Sequence, residues 1–225
     1  MKTRGLVLEG ERALTEPDEF YDMSRFRNDG TSANVTWVRL PSGLWVMSFN
    51  GISSVVRINA ALPELLPLTA GTVEFWFNHT VIDREALFGV SVTGLNSYYW
   101  TILHDAANKI ELTVNEAFAN ILHGTTDNTF TGWMQVVITV NATGNIFYVN
   151  GVAQAITYTA GNAASTNFFS GQLDANRVTL GMRDVAPATP NWFTGYMSLV
   201  RIYSYALTPG QILQHFEAER RLFGM

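Results

Sequence analysis

The chain has 225 residues, a formal net charge of −5 and only 15% charged residues. The negative balance argues against a nucleic-acid partner, because binding to a phosphate backbone depends on clustered Lys and Arg. The absence of cysteine excludes disulfides and thiol chemistry. The charged fraction lies below the roughly 25% usual for soluble domains. Such a surface is typical of a protein that binds glycans or is partly buried in an assembly.

The N-terminal segment lacks the pattern of a secretion signal. Residues 1–4 are basic, but Glu9, Glu11 and Arg12 interrupt the apolar stretch that a signal peptide needs. No apolar run elsewhere approaches the roughly 18 residues required to cross a bilayer. We therefore expect synthesis in the cytoplasm without a signal peptide, no membrane insertion, and a single domain over residues 1–225.

Short runs rich in β-branched and aromatic residues, bounded by Gly, Asn, Asp and Pro, recur along the chain. They predict strands at 5–9, 34–39, 44–49, 54–58, 72–78, 85–92, 98–104, 109–115, 118–122, 133–140, 145–150, 152–158, 176–181 and 192–203. Many short strands at this spacing favour an all-β antiparallel sandwich.

The last third of the chain carries the clearest local signals. Asn150-Gly151 separates two strand patterns and suits a type I′ hairpin, because both positions tolerate positive φ. A helix is predicted at 209–221, where Thr208 and Gln211 have the spacing of a capping box. Ile212 and Phe216 then form an apolar stripe at helical spacing, which we expect to pack on the sandwich.

The hairpin over 133–151 resembles that of the laminin-G-like branch of the concanavalin A-like lectin/glucanase superfamily. Further segments in the same order are similar to motifs of that family, namely 21–30, 47–51, 72–77, 195–203 and 206–212. The resemblance implies a two-sheet antiparallel jelly-roll sandwich with one short C-terminal helix. It covers about residues 6–216, so 216–225 is expected to be a C-terminal extension.

No catalytic pattern is found. The glucanases of this superfamily need two carboxylates about 5 Å apart on one strand face, and the alternating E-x-D-x-x-E that supplies them is absent. The histidines are not at metal-binding spacings. They are His79, His104, His123 and His215. We therefore predict that the chain is not an enzyme and has no catalytic residues.

The resemblance raises the question of a structural calcium ion. Where the family has an acidic residue near the last strand, this chain has Ser198 followed by Leu199. We therefore expect no cofactor. If calcium is bound, its oxygen ligands would come from Asp22, Asp29 and Asn50.

Glycan binding usually combines exposed aromatic rings with polar side chains. Tyr99 must point to the opposite face from its neighbours in a strand. Our candidate ligand-binding residues are Tyr99, Trp192 and Phe193. The tryptophans expected in the core are Trp37, Trp45, Trp76 and Trp133.

Two classes of function remain open. The first is a non-catalytic structural or adhesion protein on the exterior of an assembly, such as a phage head-decoration, tail or fibre component. It would form a homo-oligomer through Leu222 and Phe223 and lie on a virion surface, or be extracellular after release. The second is a carbohydrate-binding, lectin-like module with a glycan as its partner.

Overall fold

The computed structural model describes residues 5–10, 19–184 and 191–225. Most of the described residues lie in short strands. The strands are β1 (Leu6–Glu9), β2 (Thr31–Ala33), β3 (Thr36–Arg39), β4 (Trp45–Asn50), β5 (Val55–Arg57), β6 (Gly71–His79), β7 (Glu85–Ser91), β8 (Tyr99–His104), β9 (Ile110–Glu116), β10 (Ala119–Thr126), β11 (Met134–Asn141), β12 (Gly144–Val149), β13 (Val152–Ala153), β14 (Ile156–Ala160), β15 (Arg177–Leu180) and β16 (Thr194–Tyr203). The helices are α1 (Leu62–Leu65) and α2 (Pro209–Glu219), with 3₁₀ turns at Asn59–Ala61, Phe169–Gly171 and Arg220–Phe223.

The strands form two antiparallel sheets. The first sheet has the order β13-β12-β11-β6-β16-β4-β3, with β1 also paired to β16. The second sheet has the order β14-β10-β9-β8-β7-β15-β5-β2. The predicted jelly-roll sandwich with one C-terminal helix is therefore confirmed.

The region predicted as one strand at 152–158 is divided between the two sheets. β13 pairs with β12 in the first sheet, and β14 pairs with β10 in the second. The preceding turn is as predicted, with φ of 53° at Asn150 and 78° at Gly151. The strand Thr31–Ala33 lies outside the predicted set.

The core lies between the sheets and is rich in aromatic rings. Phe75 and Phe77 of β6 point inward and meet Phe88 and Trp100 of the second sheet in one buried cluster. Side chains alternate along a strand, so Trp76 points to the outer face of the first sheet. There it is fully buried in a separate cluster.

Of the four tryptophans expected in the core, only Trp76 is fully buried, and it lies in the outer cluster and not between the sheets. Trp76 and Trp133 belong to the outer cluster beneath the C-terminal segment. Trp37 is half-buried and packs against the main core, and Trp45 is half-buried. Trp100, which follows Tyr99 in β8 and points to the opposite face, is fully buried in the core.

Helix α2 covers the outer face of the first sheet. It begins as predicted, with the capping box between Thr208 and Gln211. Ile212 packs with Val137 and Tyr203 of the sheet. None of the helices in the described ranges is long and apolar enough to cross a membrane.

The residues expected to contact another subunit pack within their own chain. Phe223 is buried against Trp76 and Trp133, and Leu222 is half-buried beside the same cluster. The prediction that Phe223 is available for a subunit contact is wrong, because the 3₁₀ turn after α2 folds it back onto the sheet.

Candidate functional site

The outer face of the second sheet carries polar and small side chains. One row crosses five adjacent strands through register partners, which are Thr179, Gly89, Thr101, Thr113 and His123. We call these residues the central row. Alternation along the strands places their neighbours, such as Trp100 and Ile102, in the core. The same strands therefore build the core on one side and a polar surface on the other.

A second row lies two residues away along four of the strands and three residues away along β10, where the register shifts. Its members are Arg177, Ser91, Tyr99, Asn115 and Asn120, again as register partners. We call these residues the rim row. The Tyr99 hydroxyl donates to Asn120 Oδ1 at 3.3 Å, and Asn115 Nδ2 donates to the same oxygen at 3.1 Å.

Several of these polar side chains are buried although they lie on an outer face. Thr101 is 0% exposed and Asn115 is 4% exposed. On one side, the Thr179 hydroxyl donates to the Met182 carbonyl at 2.7 Å, so the segment 181–184 lies against the sheet. On the opposite side Asn120 and the β14 residue Thr157 are exposed. The face is thus walled on one side and open on the other.

An ion pair marks one end of the face. Glu111 accepts hydrogen bonds from Arg84, at 3.2 Å from Nε to Oε2, and from the Thr113 hydroxyl at 2.7 Å. His123 Nε2 lies 3.2 Å from Glu111 Oε1, and His123 Nδ1 contacts the Thr159 hydroxyl at 2.8 Å. Burial favours the protonated form of Glu111, but the hydrogen bonds and charge of Arg84 outweigh it and lower the pKa. Glu111 is therefore held ionised.

Four buried polar atoms of this face lack a hydrogen-bond partner among the described residues. They are Thr101 Oγ1, Asn115 Oδ1, Arg177 Nε and Arg183 Nε. The Arg183 guanidinium lies over the Tyr99 ring, 5.1 Å from its centroid. Burial is the main cause that lowers the pKa of Arg183, and the nearby charge of Arg84 adds to it. Buried polar atoms are usually paired, so these atoms are exceptions on a face that is open to solvent at Asn120 and Thr157.

The structure separates the aromatic residues predicted to bind a ligand. Tyr99 lies on the polar face, but its ring is covered by Arg183 and it is only 4% exposed. Phe193 is fully buried and contacts Phe49 and Phe77 in the core, so the prediction that it stacks on a ligand is wrong. Trp192 is half-exposed at the start of the last described segment.

Most residues of the polar face are not aromatic, so a sequence search for exposed aromatic residues does not find them. Thr101, Thr113 and Asn115 fit the alternating patterns of β8 and β9, in which every second residue is apolar. That alternation signals a polar outer face, and it is the pattern that would have found them. Arg84 and Arg183 stand outside the strands and give no such signal.

The residues considered for calcium have other roles in the described structure. Asp22 is fully buried, and its carboxylate accepts hydrogen bonds from Glu9 N, Ser24 N, Ser24 Oγ and Asn28 N at 2.8–3.0 Å. Asp29 Oδ1 accepts from Asp22 N at 2.7 Å. These bonds organise a loop, as expected for a turn-forming Asp.

The other three positions considered for calcium also have local explanations. Asn50 Oδ1 accepts from the backbone N–H groups of Ile52, Ser53 and Ser54. Ser198 is buried opposite Trp76 in the register of β16, and Leu199 has φ of 50° where that register shifts.

The two-sheet fold agrees with the protein family whose sequence model matches the chain. A model described as the concanavalin A-like lectin/glucanases superfamily, of the laminin-G type, matches residues 50–213. The chain belongs to this superfamily. No curated protein sequence matches the chain.

Solved structures share the fold at low sequence identity. Domain 4 of AbnA, a GH43 extracellular arabinanase from Geobacillus stearothermophilus in complex with arabinotriose, is 18% identical with a TM-score of 0.68, over 93% of this chain and 97% of that domain. The CBM40 of the Ruminococcus gnavus IT-sialidase, bound to α2,3-sialyllactose, is 13% identical with a TM-score of 0.60, over 83% and 96%.

A longer protein gives a third match. The binding domain of botulinum neurotoxin serotype D/C is 13% identical with a TM-score of 0.66, over 95% of this chain but 52% of that domain. The chain thus spans about half the length of the toxin domain. Superfamily members and these neighbours are mainly binding or lectin-like domains, some of them parts of enzymes, and identities this low establish the shared fold alone.

Proposed function

We propose that this chain is a non-catalytic carbohydrate-binding module whose ligand lies across the central row and the rim row. One observation carries this proposal, namely the polar outer face of the second sheet, which is open to solvent at Asn120 and Thr157. Sugar hydroxyls both donate and accept hydrogen bonds, so a glycan matches the amide and hydroxyl groups there. The complexes of two structural neighbours with arabinotriose and sialyllactose support the same class of ligand.

The non-catalytic part of the proposal rests on Glu111. A general acid in glycoside hydrolysis needs a raised pKa. The pKa of Glu111 is lowered instead, because the hydrogen bonds and charge of Arg84 outweigh the effect of burial. A carboxylate already bonded to Arg84 and Thr113 is also poorly placed to act as a nucleophile.

We further propose that binding needs no metal ion. The Asp22 carboxylate is saturated by four hydrogen-bond donors of its own loop, and Asn50 Oδ1 by three. Both side chains therefore have a structural task without calcium. Titration of glycan in the presence of EDTA and of Ca²⁺ is expected to give the same affinity, and a loss of affinity with EDTA would contradict this part.

The test compares one substitution on the face with the same substitution elsewhere. Thr157→Val removes an exposed hydroxyl at the open side of the face, so stability should change by less than about 1 kcal/mol. Glycan affinity should fall about tenfold, which corresponds to about 1.4 kcal/mol. Thr36→Val, at an exposed position of β3 in the first sheet, is the control and should bind as the native chain does.

The measurements are a glycan array followed by isothermal titration calorimetry with arabinotriose, lactose and 3′-sialyllactose. Binding by the native chain and by Thr36→Val, with weaker binding by Thr157→Val, supports the proposal. An array without any bound glycan, or equal affinities of all three proteins, would overturn it.

A structural role on a phage virion gains no support from the comparisons. The sequence argument for it rested on the low charge and in part on the apolar C-terminal tail, of which Phe223 is buried within its own chain. Formation of a homo-oligomer stays a prediction that the mass of the native protein in solution would test.

A further inference from the structure

Arg183 is a cation on the polar face that has no carboxylate partner among the described residues. The other two arginines of the face are paired, Arg84 with Glu111 and Arg177 with Asp184 at 3.5 Å from Nε to Oδ2. Glu111 is near enough to attract Arg183, but its oxygens are already bonded to Arg84 and Thr113.

The sequence that follows Arg183 offers it no further carboxylate. Asp184 contacts Arg177, and the residues 185–190 are Val, Ala, Pro, Ala, Thr and Pro, without any charge. Arg183 is half-buried, and its Nε atom is shielded from solvent. Withdrawing a charge from water without a partner is costly, and the chain as a whole is acidic. An arginine without a carboxylate partner among the described residues is therefore a candidate binding group.

We propose that the ligand is an acidic glycan whose carboxylate binds Arg183, while its hydroxyls bind the exposed amide of Asn120, which is hydrogen-bonded to Tyr99. This inference rests on the proposed carbohydrate-binding function. A guanidinium presents a planar fork of N–H donors that matches a carboxylate in a bidentate pair. The Tyr99 ring beneath Arg183 holds the guanidinium in place, because the cation lies 5.1 Å from the ring centroid.

The surrounding charges favour a sugar with one negative charge per residue. Glu111 stays ionised on the same face and would repel a densely charged ligand such as a sulfated polysaccharide. The exposed amide of Asn120 is uncharged and suits hydroxyl groups. A sialic acid or a hexuronic acid, each with one carboxylate and several hydroxyls, fits this combination.

The experiment uses pairs of glycans that differ in one acidic residue. Calorimetric titration of the full chain compares 3′-sialyllactose with lactose, and trigalacturonate with galactotriose. Heparin is the densely sulfated third arm. We expect at least tenfold tighter binding of the carboxylate-bearing member of one pair, a preference that weakens at high salt, and weaker binding of heparin.

The variants locate the source of this preference. Arg183→Gln should remove the preference for the acidic member and leave the affinity for the neutral one unchanged, and Arg183→Lys should retain part of it. Arg25→Gln is a matched control, because Arg25 also lies over an aromatic ring, 4.5 Å from the centroid of Phe26, at an exposed site. Thermal unfolding of each variant verifies that it is folded.

The acidic-glycan inference and the proposed function fail in different ways. Equal affinity for both members of each pair, or tighter binding of heparin, overturns the acidic-glycan inference and leaves carbohydrate binding intact. A preference that survives in Arg183→Gln also overturns it. If no glycan binds to the native chain at all, the proposed function itself fails.

Discussion

Trp76 and Phe223 stack face to face, with ring centroids 4.3 Å apart and an interplanar angle of 16°. Phe216 of α2 stacks on the same indole at 5.8 Å. The indole Nε1 donates to Glu219 Oε2 at 2.8 Å, and Glu219 also bonds to Arg201. The C-terminal segment is therefore tied to the first sheet by both apolar and polar contacts, and the second sheet is left as the accessible polar face.

The first prediction concerns this C-terminal closure. Phe223→Ala should lower the free energy of unfolding by about 3 kcal/mol, because it leaves a cavity beside Trp76 and Trp133. Leu213→Ala, at a position of α2 that is 47% exposed, should change it by less than about 0.5 kcal/mol. Urea unfolding measures both. Unchanged stability of Phe223→Ala combined with a loss of oligomer mass would instead identify Phe223 as a subunit contact.

The second prediction concerns the hairpin between β9 and β10. Ala117 and Phe118 occupy the turn with φ of 50° and 68°. Residues other than Gly and Asn rarely adopt this left-handed backbone conformation. Phe118 is also 73% exposed. The double substitution Ala117→Asn with Phe118→Gly should stabilise the chain by about 1–3 kcal/mol, measured by urea unfolding. The Asn150-Gly151 turn already has this sequence and is the internal reference; no gain in stability would contradict the argument.

The strands and the C-terminal helix could be predicted because their signals are local. Alternation in β8 and β9, the turn at Asn150-Gly151 and the cap at Thr208 each depend on a few adjacent residues. The division of 152–158 between two sheets could not be predicted, because the choice of partner strand depends on tertiary packing.

The candidate site could be predicted only in part for the same reason. Thr101 and Thr113 become neighbours through the pairing of β8 with β9, and Tyr99 was placed on the correct strand. Arg84 and Arg183 are far apart in sequence and meet the face from loops. The sequence predicts that Phe193 is exposed, because it lies beside a proline-rich segment. In the structure it immediately precedes β16 and is buried in the core.

The third prediction concerns the pH dependence that His215 introduces. His215 Nδ1 lies 3.0 Å from Glu74 Oε2, and this hydrogen bond raises the pKa of His215 although burial opposes it. The other charged groups facing His215 are Arg201, which lowers its pKa, and Glu219, which raises it. A raised pKa in the folded state gives stability that is present below the unfolded pKa and is lost as the pH rises through the folded value.

Thermal unfolding of His215→Gln tests this coupling. The variant should be less stable than the native chain at pH 5.5, and the difference should shrink as the pH rises to 9 and the native imidazole loses its proton. Gln214→Ala, an exposed neighbour on α2, is the control. A stability deficit of His215→Gln that stays constant between these pH values would contradict an ionic contribution.

The fourth prediction concerns Glu85, which is buried at the end of the sandwich. Its Oε1 accepts from Thr194 N at 3.0 Å, whereas its Oε2 has no partner among the described residues. Burial raises the pKa of Glu85 to about 7. Its register partner His104 stacks on His79 at 3.9 Å, and burial lowers the pKa of His104 to about 4. At neutral pH the imidazole of His104 is therefore uncharged and gives Glu85 no ion pair.

The sign of the pH effect follows from the proton balance. Between pH 4.5 and 7 the folded state holds a proton on Glu85 that the unfolded state has released, so stability falls as the pH rises through this window. Glu85→Gln keeps an oxygen for Thr194 N and cannot ionise. Its melting temperature should match that of the native chain at pH 5 and exceed it at pH 8.5, whereas the exposed control Glu217→Gln should show no such crossover. A native chain that stays as stable as Glu85→Gln at pH 8.5 would show that water or His104 compensates the buried carboxylate.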